Sequence, residues 1–380
     1  MVWPATYSAL SADEKTMKLG IIVHCPSPHQ KVMLDQLYRV TDTDVIVGYA
    51  YANSPNRNWG TPVAAGPTVF VPRVRGLTGG KMLRDWVSSL GRDVWVLNSA
   101  FTYHRTQALA TAFDQLRLPW VYSGEPPRPR RGPMGWVRNS LLHRLLSRCR
   151  GVIATGVEPV RRYRELLGDD RPVTSVPYYI PLDDWLGLPL VSPPAKGEPI
   201  RFLTLAQLIQ RKGIDVLIEA CRRLRPGCWQ LDVYGDGPER ARLERAVASR
   251  GLPVKLHRPL AFASRMAAFR GAHCFVFPSR WDGWGMAPVE ALAAGLPVIA
   301  TDQTMSAHDF IADGSNGWIV PCNVDAISRA MQGVIDHPEL LPAISAAARQ
   351  AVAGYDPSAG AREMVDFCRQ IWAASNCTHR

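Results

Sequence analysis

From Phe277 to Ala300 the chain reads FPSRWDGWGMAPVEALAAGLPVIA. Cys274–Phe277 is short, apolar and β-rich, as a buried strand is, and Pro278 stops it. A loop with Gly283 and Gly285 follows. Pro288 then predicts the first position of a short helix, and Gly295 stands just past its end, the usual asymmetry of helix termini. A second strand starts at Pro297. Strand, loop, helix and strand in so short a span form a βαβ unit and require a parallel sheet. The amides of Gly285, Met286 and Ala287 fall at the helix N-terminus, which suits a phosphate or a sugar oxygen. Asp282 precedes the loop and Glu290 lies in the helix, so the pair can aim two carboxylates at two hydroxylated parts of one ligand. The plainer alternative is a tight connection with one exposed acid and one capping acid.

The same alternation extends in both directions. Upstream, strands are expected near Leu19–Val23, Val45–Tyr49, Val69–Val71, Val94–Leu97, Trp120–Tyr122, Val152–Ala154 and Val173–Val176. Helical periodicity lies between many of them, at Leu83–Leu90, Thr106–Leu116 and Val137–Cys149. Leu188–Pro199 reads LPLVSPPAKGEP, which sustains neither helix nor central strand and so reads as a linker. Strands and helices then resume at Arg201–Leu205, Ile214–Leu224, Gln230–Tyr234, Glu239–Ser249 and Val254–His257. The expected architecture is α/β: two doubly wound Rossmann-like domains facing a cleft, with ligands at the carboxyl ends of the strands. The boundaries expected are an N-terminal Rossmann-like domain at 1–188, a linker at 189–199 and a C-terminal Rossmann-like domain at 200–354. A C-terminal helix at 355–380 is expected to pack back on the N-terminal domain.

A chain of 380 residues that is 47% hydrophobic and 20% charged holds more than one core and is neither disordered nor fibrous. No stretch approaches the roughly 18 consecutive apolar residues of a membrane span. Residues 1–16 contain Asp13, Glu14 and Lys15 and no apolar segment, so they read as a disordered extension, not a signal peptide. Met17 leads straight into the first strand and looks like an alternative start. Eight cysteines are scattered without a CxxC pair, which predicts reduced thiols and a cytoplasmic location. Asp42-Thr43-Asp44 matches an Asp-x-Asp metal motif formally, but it precedes its strand and reads as a turn.

Four segments in order carry a resemblance. Besides 277–300, these are Leu205–Asp215 (LAQLIQRKGID), Tyr234–Pro238 (YGDGP) and Ile311–Trp318 (IADGSNGW). Together they resemble the signatures of the retaining, GT-B-fold glycosyltransferases of family 4 (glycosyl transferases group 1). The resemblance covers about residues 200–335 well and the first half loosely. It implies a hexosyltransferase that uses a nucleotide-sugar and needs no metal or other cofactor. By position, Lys212 would contact the donor diphosphate, Glu290 the ribose hydroxyls and Asp282 the transferred sugar. A fixed cation and loop amides suit a leaving diphosphate whose charge grows as its bond to the sugar breaks. Standing alone, Lys212 would read as a solvated lysine at a helix start. Two positions depart from the pattern. The family's phosphate-binding arginine aligns with Gln207, and Arg211 is the candidate to supply its charge. A histidine frequent in the family aligns with Glu125, which either assists the acceptor hydroxyl or is a loop acid. His104, near a strand end, reads as structural or exposed.

Net charge is +11, with +8 in residues 1–190. Seven arginines and no acid lie between Arg128 and Arg150. Val137, Leu141, Leu142, Leu145, Leu146 and Cys149 are expected to share one helix face, flanked by Arg138, Arg144 and Arg148 with Arg128, Arg130 and Arg131 just before. The face predicts core packing, and the arginines predict an anionic membrane surface at the inner face of the plasma membrane. Nucleic acid is not the expected partner, because no recognition motif accompanies the charge. The leading expectation is sugar transfer to a hydroxyl of a lipid-linked or cell-envelope saccharide. The alternatives are a nucleotide-sugar epimerase of the same architecture and a non-catalytic sugar-nucleotide binder.

Overall fold

The computed structural model describes residues 16–52, 63–73, 79–126, 128, 132–168, 170–261 and 264–377. The extension expected at 1–16 therefore lies outside the described residues except for Thr16, as do Arg130 and Arg131. The chain folds as two compact units. Unit 1 gathers the described residues up to 123, those at 144–152 and those from 361 onward; unit 2 gathers 124–143 and 153–360.

The first elements are β1 (Lys18–Val23), α1 (Pro28–Val40), β2 (Asp44–Tyr49), β3 (Thr68–Phe70), α2 (Gly79–Ser89), β4 (Val94–Asn98), α3 (His104–Gln115) and β5 (Trp120–Gly124). They are followed by α4 (Pro133–Leu146), β6 (Gly151–Ala154), α5 (Val157–Leu167), β7 (Val173–Ser175) and α6 (Asp183–Leu186). In unit 1 the strands run β3-β2-β1-β4-β5, and β1 pairs in parallel with both β2 and β4. All of β1 but Lys18 is buried, the near-continuous apolar run of a parallel strand covered on both faces. Ser27 caps α1 by accepting from the Gln30 amide at 3.2 Å, with Pro28 in the first turn. Asp44 begins β2 and pairs with Arg92 at 2.7 Å, while Thr43 accepts from Arg369 at 3.1 Å. The Asp-x-Asp residues thus serve the turn into a strand.

The second series is β8 (Ile200–Leu205), α7 (Ile214–Cys221), β9 (Trp229–Tyr234), α8 (Arg240–Ala248), β10 (Val254–His257), α9 (Arg265–Arg270) and β11 (Cys274–Phe277). It continues with α10 (Met286–Ala293), β12 (Val298–Thr301), α11 (Ala307–Phe310), β13 (Gly317–Val320), α12 (Val324–Asp336), α13 (Leu341–Ala351) and α14 (Pro357–Cys377). Its sheet runs β10-β9-β8-β11-β12-β13. Residues 188–199 form neither helix nor strand but are anchored on α13: Val191 donates to Ser345 Oγ at 2.9 Å, and Arg349 donates to the Leu188 carbonyl at 2.6 Å.

Two local expectations are corrected. Pro288 is the third residue of α10, not the first, because the helix begins at Met286. First-turn amides have no intrahelical acceptor, so proline fits anywhere in that turn. In α4, Leu142, Leu145 and Leu146 are buried as expected, as is Cys149 just past its end, but Val137 and Leu141 are exposed. The buried stripe covers only the second half of the helix. Its first half leaves Met134 and Trp136 outside as well, each 73% accessible.

Candidate active site

In unit 2 the order in which strands are added reverses between neighbouring β8 and β11, which pair in parallel. Loops leaving the carboxyl ends at such a switch point diverge and open a crevice. The loop after β8 makes one tight turn, Gln210–Lys212, and Gly213 (φ 69°) turns it into α7. A Cβ on Gly213 would stand 2.0 Å from the Pro278 carbonyl oxygen. The lysine loop therefore rests directly on the backbone leaving β11, which brings Lys212 to Asp282.

Lys212 Nζ pairs with Asp282 Oδ2, and both side chains are largely buried. The ammonium also lies 4.8 Å above the Phe277 ring. Arg211 Nη1 is 3.7 Å from the same carboxylate oxygen and donates to the Trp281 carbonyl at 2.8 Å. Arg280 ties the two loops from the other side. Its amide donates to the Arg211 carbonyl at 2.8 Å, and its guanidinium to Gln210 O at 2.7 Å and to both Asp215 oxygens at 2.7 and 2.8 Å. Burial would raise the Asp215 pKa, but the Arg280 hydrogen bonds and charge hold it below the ordinary carboxylate value. A bidentate arginine fixes orientation as well as distance, so Lys212 and Asp282 sit on a cross-braced pair of loops.

Glu290, one turn into α10, is 0% exposed. Burial raises its pKa, and Arg265 at the start of α9 opposes that rise from 3.0 and 3.3 Å. Ahead of it, Gly285 (φ 95°) caps α10 and its carbonyl accepts from Ser306 Oγ at 2.8 Å. Trp281, Trp284 and Met305 form a buried cluster under this loop, with Tyr178, Met286 and Phe310 against it. Arg162 lies 4.9 Å over the Trp281 ring. Losing a buried ring such as Trp284 costs about 3–5 kcal/mol, so the loop is anchored by packing as well as by hydrogen bonds.

The sequence candidates divide as follows. Lys212, Arg211 and Asp282 meet in one cluster. Gly285, Met286 and Ala287 stand at the α10 N-terminus, one turn before Glu290. Glu125 is exposed, but a Cβ on Gly283 would lie 2.0 Å from its Oε2, so its carboxylate rests against the residue after Asp282. Gln207 is half-buried at the start of the lysine loop. His104 is an exposed residue opening α3. Sequence reasoning missed Arg265, Arg280 and Asp215 as members of the site. Arg280 and Asp215 stand inside quoted motifs, whereas Arg265 has no motif signal at all.

Comparison with known proteins gives a family match over the part of the chain that holds these residues. Residues 191–351, which hold every member of the lysine and glutamate clusters, match the sequence model of glycosyl transferases group 1. A putative colanic acid biosynthesis glycosyltransferase of Salmonella typhimurium, WcaL, is 28% identical over 47% of this chain and 47% of its own length. The amylovoran biosynthesis glycosyltransferase AmsK of Erwinia amylovora is 33% identical over 33% of each. The chain thus spans half or less of the length of these relatives. Among solved structures, Anabaena HepE in complex with UDP has a TM-score of 0.72 at 16% identity, covering 93% of this chain and 100% of its own. A glycosyltransferase from Rickettsia africae has 0.72 at 14%, covering 94% and 99%. Two parallel sheets flanked by helices, matched in this way over almost the whole chain, define the GT-B fold. Among the described residues no helix is long and apolar enough to cross a membrane.

Proposed function

We propose that the protein is a retaining glycosyltransferase of family 4 that moves a hexose from a nucleotide-sugar to a hydroxyl of a lipid-linked or cell-envelope saccharide. The observation that carries the reading is the Lys212–Asp282–Arg211 cluster at the switch point, braced by Arg280–Asp215 and lying within the matched region. Retention rests on the sequence resemblance. The names of WcaL and AmsK, given for colanic acid and amylovoran biosynthesis, support a part in polysaccharide assembly, and the acceptor class is the step this proposal adds. Because HepE is described with UDP, uridine diphosphate sugars are the first donors to try.

In this reading Glu290, held by Arg265, accepts both ribose hydroxyls, as a carboxylate can. The diphosphate exchanges places with Asp282 at Lys212, and Asp282, still beside Arg211, turns to the sugar hydroxyls. The bond from the anomeric carbon to the diphosphate breaks, the acceptor oxygen bonds to that carbon, and its proton passes to the released diphosphate. Lys212, Arg211 and the α10 amides stabilise charge that grows only as that bond breaks, and no metal ion is invoked. Glu125, beside Gly283, is the candidate to orient the acceptor hydroxyl. Exposed Met134, Trp136, Val137 and Leu141 on α4, beside Arg138 and Arg144, suit an anionic lipid surface.

The test is turnover of a nucleotide-sugar panel with the product anomer assigned. Transfer with the donor's anomeric configuration kept supports the reading. Inversion overturns retention, isomerised donor favours an epimerase, and binding without turnover favours a non-catalytic binder in which Gln207 replaces the arginine.

A further inference from the structure

One acid holds the start of α5. Val157, its first residue, donates its amide to both carboxylate oxygens of Asp309 in α11, at 3.0 and 3.1 Å. Gly156 (φ 110°) caps the helix, and a Cβ there would collide with the Trp284 ring and stand 2.9 Å from both Asp309 oxygens. First-turn amides lack intrahelical acceptors and carry the positive end of the helix dipole, so a carboxylate suits them. Both sides of this joint reach the candidate active site within unit 2. On one side, α11 is tied to the loop before α10: Ser306 donates its amide to the Trp284 carbonyl and its hydroxyl to the Gly285 carbonyl, each at 2.8 Å. On the other, α5 carries Arg162, 4.9 Å over the Trp281 ring, and buried Tyr163, whose hydroxyl donates to the Glu125 carbonyl at 2.9 Å. The carboxylate of Glu125 in turn rests against Gly283. Asp309 belongs to neither the Lys212 nor the Glu290 cluster, so it can act on the reaction only through what it holds.

The ionisable neighbours of Asp309 are His308 before it, Glu158 one residue after Val157, and the buried Tyr355 hydroxyl. Glu158 is itself held by Arg161 and Arg162. Burial pushes the Asp309 pKa up to about 6; the Val157 bond and His308 oppose the rise, and Glu158 adds to it. Released from the joint, the carboxyl returns to about 3.9. A group that holds its proton better docked than free docks better protonated. The joint therefore tightens as pH falls from above 6 towards 3.9, and that gain is lost as pH rises through about 6.

We propose that Asp309 is a positioning residue that latches α5 to the α10 loop and, through Tyr163, sets where Glu125 stands beside Gly283. Its effect on sugar transfer deepens the reading above and rests on it; the latch itself does not.

The experiment is deuterium exchange of the full chain, read on residues 156–167 at pH 5 and pH 8 with intrinsic rates divided out. Sugar transfer and UDP calorimetry are measured in parallel. Asp309→Ala should lower protection of this segment about fivefold, the scale of a lost helix cap. Asp309→Asn keeps an acceptor for the Val157 amide and should restore it. Protection of the wild type relative to Asp309→Asn should rise about tenfold from pH 8 to pH 5, as a docked pKa of about 6 requires. In transfer, Asp309→Ala should lower kcat about fivefold with UDP affinity unchanged, and should add little to Glu125→Ala. Asp309→Asn should restore kcat. Unchanged protection in Asp309→Ala, or the same pH response in the wild type and Asp309→Asn, overturns the latch. Weakened UDP binding in Asp309→Ala, or full additivity with Glu125→Ala, overturns the positioning role. Should Asp309→Ala fail to fold, the pH response of Asp309→Asn decides. No transfer by the wild type from any donor instead overturns the transfer reading and leaves the exchange result standing.

Discussion

The two units repeat one architecture, a parallel sheet with a switch point beside its first strand, and fill that point with opposite chemistry. In unit 2 the loops carry a buried lysine on a buried aspartate, a second arginine and a fully buried glutamate. In unit 1 the corresponding loops carry three rings, His24, Tyr51 and Tyr103, beside amides and hydroxyls, with Arg105 over one ring. The fold sets where a ligand can sit, and the loops set what it can be. Fixed charges suit a ligand whose charge changes during reaction. Rings and amides suit one that must be recognised and released without charge.

Four variants test this contrast, from the largest effect to the smallest. Lys212→Ala should slow donor turnover by about 100-fold, the scale of removing one transition-state donor. The fold should persist, because Arg211 remains beside Asp282. Steady-state kinetics with circular dichroism checks it, and full activity would place the diphosphate elsewhere. Glu290→Ala should weaken nucleotide binding by about 1–2 kcal/mol, since Arg265 and the ribose hydroxyls lose their partner. Calorimetry with UDP reads this, and unchanged affinity removes Glu290 from the donor site. Asp215→Asn should lower kcat about tenfold with little change in nucleotide affinity, because it loosens the bidentate brace that fixes orientation. The depressed Asp215 pKa adds a pH signature. Its stabilisation is present above the unfolded pKa of about 3.9 and is lost as pH falls below that. The thermal midpoints of Asp215→Asn and the wild type should therefore converge near the acid end of a pH series. The smallest effect belongs to Arg138→Gln with Arg144→Gln. At about 1 kcal/mol per basic residue near an anionic surface, pelleting with anionic vesicles should weaken at low salt while donor turnover stays unchanged. Arg148 is left out because it pairs with Asp114. Equal pelleting of both proteins would mean that the arginines serve something other than lipid.

How much of this was legible in the sequence follows the same divide. The unit 2 cluster is assembled from residues that sit inside motifs: Lys212 and Asp215 in one loop, Arg280, Asp282 and Glu290 in another. The alternation of short strands with helices was enough to place those loops at strand ends. Arg265 escaped because its role depends on where α9 ends up against α10, and no local pattern encodes that. The aromatic cluster of unit 1 escaped for a similar reason. His24, Tyr51 and Tyr103 are single aromatic residues after three separate strands, and only the parallel pairing of β1 with β2 and β4 brings them together. The exposed half of α4 was misjudged because helical periodicity gives the phase of an apolar face but not how far along the helix its cover extends.

The lysine loop also bears on how the protein can evolve. Gly213 stands 2.0 Å (as a would-be Cβ) from the Pro278 carbonyl, and Gly235 would meet the Ala206 carbonyl at 1.8 Å. Backbone atoms cannot rotate aside as side chains do, and Gly213 also has a left-handed φ. In a library of single substitutions these two positions should be as intolerant as Lys212 itself, although neither carries a functional group. The lineage of this chain can therefore vary the charges that choose a donor more freely than the two hydrogens that let its loops touch.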